Sequence, residues 1–526
     1  MTSLNTTPEI PTVSEAQKFR TQMGQISRHS AVFFAGMMFT AAAGYLFKVY
    51  LARVLGAEPL GLYALGMTII GFVGVFNGLG LPQSAVRFIA QYRASGQFNE
   101  LRGFIARAVG LLLTANLVLG ALVVFAGPWV ADHFYHTPDL RQYLGLFALI
   151  MILGALTTFF GQVLQGYKDV SRRTVITNFI GTPLMMLLTV ILIAFGKGLR
   201  GYILAQVLAA AVSLVLLVGF VWRLSPVESR HFGGSLPPLA RHVISFGATV
   251  FGIGLTEFLL AQIDKVLIGF YINAREVGIY TVAMAIVAFV PVALQSVNQI
   301  FSPTIADLHT RGEHELLGRL FQTLTKWIFA FTLPLATVVI VFCKPFMRIF
   351  GADFEPGWPI LIVGTIAQLV NCGTGSVGYL LLMSGHQKRL FKVQMWMTVM
   401  MVLLNILLIP RMGIIGAAVA AALTNLGTNF WNLREVKGSL GLSPYNRSYM
   451  HLALPTVVMV LFAVALQHFG TGFRSNWTLL GVAGITAYVL FFGVLSFFGL
   501  NDDDRLVLHA VWSRLRGGFQ KVGITA

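Results

Sequence analysis

Two lysines stand inside apolar sequence at corresponding places, Lys48 in AGYLFKVYLARVLG and Lys265 in AQIDKVLIGFY. A charge in such a segment costs roughly 2.5 to 3.5 kcal/mol to insert, so it needs an anion to hold, an acid to pair with, or headgroups to reach by snorkelling. Arg87 and Arg53 are further cations, and guanidinium and ammonium groups suit phosphate oxygens. Glu257 and Asp264 lie two helical turns apart, about 20° out of register. Carboxylates on one face of an apolar helix either carry a coupling H+ or Na+, or compensate a neighbouring cation. Gln295, Asn298, Gln299 and Ser302 fall at i, i+3, i+4 and i+7 and form one polar stripe. Such amides bind hydroxylated ligands or tie helices together. Asn77, Ser84, Arg87 and Gln91 make a looser stripe. All of this chemistry is non-covalent.

The elements that must carry these residues are long apolar helices. The chain is 56% hydrophobic and only 11% charged, against roughly 25% charged in soluble domains, which excludes a soluble enzyme. Runs of about 18 or more mostly apolar residues fall near 31–50, 62–86, 104–126, 142–166, 174–195, 201–222, 243–271, 277–303, 320–342, 358–383, 392–409, 413–433, 450–468 and 477–499. The pattern predicts an all-α integral membrane protein of about 14 transmembrane helices. About 26 of the 37 Lys and Arg fall in loops on one side and about nine on the other, which places both termini in the cytoplasm. The net charge of +17 follows from that asymmetry. A nucleic-acid face would need the charge gathered on one surface, whereas it is spread over many short loops.

The chain repeats itself. Residues 48–73 (KVYLARVLGAEPLGLYALGMTIIGFV) align without a gap on 265–290 (KVLIGFYINAREVGIYTVAMAIVAFV), setting Lys48 on Lys265, Gly61 on Gly278 and Tyr63 on Tyr280. LQGYKDVSRR and KGLRGYILAQVL find counterparts in LMSGHQKRLF and MGIIGAAVAAAL. The expected organisation is a cytoplasmic tail (1–28), a six-helix bundle (29–222), a cytoplasmic linker (223–242), a second six-helix bundle (243–434), two further transmembrane helices (449–499) and a C-terminal tail (500–526). Duplicated membrane halves around a central cavity suggest a transporter working by alternating access.

LARVLGAEPLGLYAL (51–65), QIDKVLIGFYINAREVGIYTVAMAI (262–286), the LQGYKDVSRR turn and twelve helices plus two resemble the polysaccharide (Wzx-like) oligosaccharide flippases of the multidrug/oligosaccharidyl-lipid/polysaccharide exporter superfamily, over nearly the whole chain. The resemblance implies movement of an undecaprenyl-pyrophosphate-linked oligosaccharide from the inner to the outer leaflet of a cytoplasmic membrane. It also implies that helices 1, 2, 7 and 8 surround the cavity. Lys48, Lys265, Arg87 and Arg53 would then meet the pyrophosphate, Asn77, Gln295, Asn298, Gln299 and Ser302 the sugars, and Asp264 and Glu257 the coupling ion. Expected partners are the lipid-linked oligosaccharide, membrane lipids and a polysaccharide polymerase, with no nucleic acid, and the chain is expected to act as a monomer without a cofactor. A drug antiporter on the same scaffold should have an acidic, aromatic cavity, and a non-transporting scaffold would need no charge in the membrane.

Other features offer less. Asp132, His133, His136 and Asp139 read as a solvated turn, since nothing intramembrane completes a metal set. Two cysteines build no disulfide framework. No GxxxxGK[ST] stretch is present, so the chain has no P-loop for ATP. The longest external stretches hold about 15 residues, too few for an active site. Gln162 with Gln165, Gln368 with Asn371, and Asn425 with Asn429 and Asn432 are expected to be packing groups.

Overall fold

The computed structural model describes residues 36, 39–77, 81–167, 169–225, 241–469 and 477–497. All described regular structure is helical. Two compact units are distinguished: Met1–Leu51 with Gly66–Phe258, and Ala52–Leu65 with Leu259–Ala526. A strip of the first repeat, 52–65, therefore packs with the second unit.

In chain order α1 (39–55) leads into α2 (Ala57–Gly74), their junction 52–65 belonging to the second unit, and the first unit goes on through α3 (Leu81–Ala94), α4 (Phe98–Trp129), α5 (Leu144–Gly166), the short α6 (Val170–Thr174), α7 (Thr182–Ala194) and α8 (Gly198–Leu224). The expected span 62–86 is two helices, because the backbone turns at 75–77 after Gly74. Helices α3, α4, α5 and α8 close around Phe88, Ile89, Phe104, Phe159, Leu164 and Leu217. Asp169 caps α6, its carboxylate accepting from the Arg172 N–H at 3.1 Å. On α4 the side chains of Leu117, Val118, Leu122 and Phe125 are exposed, Phe125 at 83%. Apolar surface on that scale is a lipid-facing surface.

The boundary between the units falls within α9 (Arg241–Tyr271), after Phe258, and the second unit continues with α10 (Ala274–Val287), α11 (Val292–Thr310), α12 (His314–Val341), α13 (Cys343–Arg348), α14 (Trp358–Thr374), α15 (Val377–Met383), α16 (Gln387–Met412), α17 (Ile414–Leu440), α18 (Ala453–Phe469) and α19 (Trp477–Phe497). The last two pair with each other and with α12 over Leu333, Met459, Ala483 and Phe491. Eleven helices are long and apolar enough to cross a membrane, or twelve when α10 and the start of α11, bent by 54°, count as one span. The expected fourteen are not reached among the described residues: the span at 31–50 falls partly outside them, and α9, over 243–271, is not among the eleven. The ends 1–35 and 498–526 and most of the linker, 226–240, also lie outside.

Repeat-equivalent junctions are solved differently. Gly56 enters α2 at φ +82°, a conformation costly for any residue with a Cβ. Its counterpart Asn273 is extended and caps α10 with its side chain, accepting from the Glu276 N–H at 2.9 Å. Just inside, Gly61 and Gly278 face each other across the α2–α10 crossing. A Cβ on Gly61 would overlap the Ala274 carbonyl, and one on Gly278 the Ala57 carbonyl. Each helix thus supplies an Ala-x-x-x-Gly seam, and the seams meet as equivalents.

Candidate functional site

Two interrupted helices and one continuous one enclose a cavity of about 540 Å³ inside the second unit. The first break lies between α10 and α11, where Val287 ends one helix and Pro291, which has no N–H, immediately precedes the next. The second lies between α14 and α15, where Gly375 sits at φ +70° and a Cβ would run into Thr325. The Asn371 carbonyl closes α14 by accepting from the Gly375 N–H at 3.2 Å and the Thr374 hydroxyl at 2.9 Å. Irregular backbone at membrane depth is tolerated only where protein or a polar cavity covers it. The opposite wall is α17, which is continuous.

Amides line the cavity: Gln295 and Asn298 from α11, Gln368 and Asn371 from α14, and Asn425, Asn429 and Asn432 from α17. Ser376, Thr424 and Thr428 add hydroxyls, and Tyr379 is the aromatic group. Among the described residues that line it none is charged. The amides are cross-braced. Asn371 donates to Gln368 Oε1 at 2.9 Å, and Asn429 donates to the carbonyl and side-chain oxygens of Asn425 at 2.9 and 3.0 Å. The Thr374 hydroxyl donates to Asn429 Oδ1 at 3.0 Å and the Ser376 hydroxyl to Asn298 Oδ1 at 2.5 Å. Such bracing fixes rotamers before any ligand arrives.

The residues marked in the sequence part company here. Gln295 and Asn298 line the cavity; Gln299 is exposed and Ser302 half-buried on the same helix, outside its lining. Asn77 lies in the turn after α2, where its carbonyl accepts from Asn116 at 3.0 Å. That turn takes Asn77 off the helix that carries Ser84 and Gln91, so the looser stripe is not one helix face. The Arg87 side chain lies outside the described residues. Lys48 is exposed on α1, in the first unit. Lys265 is half-buried on α9 and donates to Gln262 Oε1 at 2.8 Å. Arg53 is exposed and donates from Nε to the Ile349 carbonyl at 2.8 Å. Asp264 is buried, 7% exposed, and accepts from the hydroxyl of fully buried Tyr280 at 2.7 Å, while Glu257 is exposed. The repeat counterpart of Asp264 is Phe47, stacked on Tyr50 with centroids 5.8 Å apart. The carboxylate therefore belongs to one repeat alone.

Sequence reading treated Gln368, Asn371, Asn425, Asn429 and Asn432 as packing groups, yet all five are on the cavity wall. The signal was present: Asn425, Asn429 and Asn432 fall at i, i+4 and i+7, the same one-face pattern as on α11. Lys326, which no repeat or spacing marks, is 5% exposed within α12. Among the described residues no group of three or more His, Cys, Asp or Glu is placed to hold a metal ion. Asp132 is instead ion-paired with Arg141.

A family model described as polysaccharide biosynthesis protein matches residues 26–309. The probable low-salt glycan biosynthesis flippase Agl15 of Haloferax volcanii is 22% identical, over 90% of this chain and 94% of its own. The succinoglycan biosynthesis transport protein ExoT of Rhizobium meliloti is 26% identical, over 62% of this chain and 63% of its own. Among solved structures, the lipid II flippase MurJ in an inward closed conformation superposes with a TM-score of 0.69 at 15% identity, covering 88% of this chain and 98% of its own. An inward-facing multidrug resistance MATE family transporter superposes at 0.61 and 14% identity, over 78% and 98%. At such identities these two likenesses concern the fold.

Proposed function

The chain belongs to the polysaccharide biosynthesis protein family, and on that premise we propose that it is a flippase carrying an undecaprenyl-pyrophosphate-linked oligosaccharide from the inner to the outer leaflet of the cytoplasmic membrane. It is a multi-pass membrane transporter and not a catalytic enzyme. The observation that carries the reading is the uncharged cavity walled by seven amides. Amides present donors and acceptors together, as sugar hydroxyls require, and desolvate at far lower cost than charges. A cavity for cationic drugs would need a carboxylate, and none lines this one among the described residues.

In this reading the two repeats act as six-helix bundles that alternate access, with both termini cytoplasmic. Lys48, Lys265 and Arg87 supply cations for the pyrophosphate, with Arg53 in a lesser part. Asp264, and Glu257 with it, serve an H+ or Na+ gradient. The supports are the matched positions of the two lysines in the repeat and the burial of Asp264 beside Tyr280.

The test is the sidedness of lipid-linked oligosaccharide in cells lacking the protein, complemented with wild type or with Lys48→Ala/Lys265→Ala. Oligosaccharide held on the cytoplasmic face until wild type is supplied is the expected result. Normal sidedness without the protein would overturn the reading.

A further inference from the structure

We propose that the amide cavity of the second unit is a carbohydrate subsite that accepts one or two uncharged sugar residues and excludes acidic ones, an inference that rests on the glycan-flippase reading above. The wall keeps hydrogen-bonding capacity once it has braced itself. Internal bonds occupy the oxygens of Gln368, Asn425, Asn429 and Asn298. The NH2 groups of Gln368, Asn425 and Asn298 keep no partner among the described residues, so donors remain. Asn432 is the reverse case: it is 4% exposed and its Oδ1 has no hydrogen-bond partner. The hydroxyl of Thr424, also buried, is likewise unpartnered.

A ligand must therefore accept at some points and donate at others. A carboxylate or phosphate only accepts, leaving Asn432 Oδ1 orphaned, and would be buried without a counter-charge. A metal cation offers no acceptor to the NH2 groups. A hydroxyl does both jobs, and an acetamido group brings one of each. Between the amides lie Leu260, Met284, Val287 and Leu294, apolar surface suited to the C–H faces of a pyranose. The volume of about 540 Å³ falls within the range of roughly 300 to 1,000 Å³ typical of small-molecule pockets. The bend at Pro291 and the break at Gly375 both border this space.

Full-length protein in nanodiscs is titrated with three free disaccharides, N,N′-diacetylchitobiose, cellobiose and cellobiouronic acid, with saturation-transfer NMR as the readout. Wild type is compared with Gln368→Leu, Asn425→Leu and Asn432→Leu, and thermal unfolding selects the variants that fold. A neutral disaccharide is expected to bind saturably, the acid at least about tenfold more weakly, and each folded variant to lose about tenfold in affinity for the neutral sugar. Equal binding of the acid, no saturable binding of either neutral sugar, or undiminished binding in the folded variants overturns the subsite. A parallel flipping assay uses proteoliposomes and polyprenyl-diphosphate tetrasaccharides with neutral or uronate-bearing sugars. Wild type that flips neither overturns the glycan reading itself. Wild type that flips neutral and acidic cargo alike, with the leucine variants equally active, overturns the subsite alone.

Discussion

The crossing of Gly61 and Gly278 allows a sharp calculation. In an ordinary helix interior, replacing glycine by alanine gains about 1 kcal/mol, because alanine loses less backbone entropy. Gly145, on α5 with nothing within 4 Å of an added Cβ, should show that gain. At Gly61 the new methyl meets the Ala274 carbonyl, and at Gly278 the Ala57 carbonyl. These are backbone atoms, which cannot rotate away, so the helices must part. Overpacking of this kind costs about 1 to 3 kcal/mol, and membrane helices have little hydrophobic drive to offset lost packing. Each single alanine variant should then be destabilised by up to about 2 kcal/mol net. The two positions share one contact, so once the first methyl has separated the helices the second meets little resistance. The double variant should fall short of the sum by about 1 kcal/mol, well within the range of measured coupling energies. Reversible unfolding in bicelles, with Gly145→Ala as the reference, measures all four states. Additive losses, or a gain at Gly61 equal to that at Gly145, would refute the reciprocal contact.

Four other outcomes are expected. Tyr280→Phe leaves a buried oxygen of Asp264 short of its 2.7 Å bond and should cost about 1 to 3 kcal/mol in the same unfolding measurement; the loss should shrink in the Asp264→Asn background. Gly375→Ala places a Cβ at φ +70° against Thr325 and should destabilise by about 1 to 3 kcal/mol, whereas Thr325→Ala in the same chain should restore part of it. Asp169→Ala removes the cap of α6 and should cost about 1 kcal/mol, seen as faster amide exchange at Arg172. Arg348→Ala breaks a pair with Glu355 at 2.8 and 2.9 Å, yet this exposed pair should be worth less than about 1 kcal/mol, and a larger shift in unfolding would count against that ranking.

The sequence by itself determined the membrane character, the helices and the duplication. These depend on composition and on periodicities that hold whatever the helices pack against: a run of about 18 apolar residues must satisfy its own backbone in lipid. It also marked two of the seven wall amides, Gln295 and Asn298, since i, i+3, i+4, i+7 spacing fixes a helix face locally. It could not tell which amide stripes meet. Gln368, Asn371, Asn425, Asn429 and Asn432 read as interhelical glue because one amide makes the same bonds in a closed contact as beside a cavity. Only the tertiary packing of α11, α14 and α17, with the breaks at Pro291 and Gly375 on the cavity's border, decided that space lies among them. The two lysines show the other limit. Their matched positions are written in the repeat, but their surroundings are not, for Lys48 is exposed while Lys265 is half-buried. Spacing along one helix is a local property; what a face encounters is set by long-range packing, which the chain encodes only jointly.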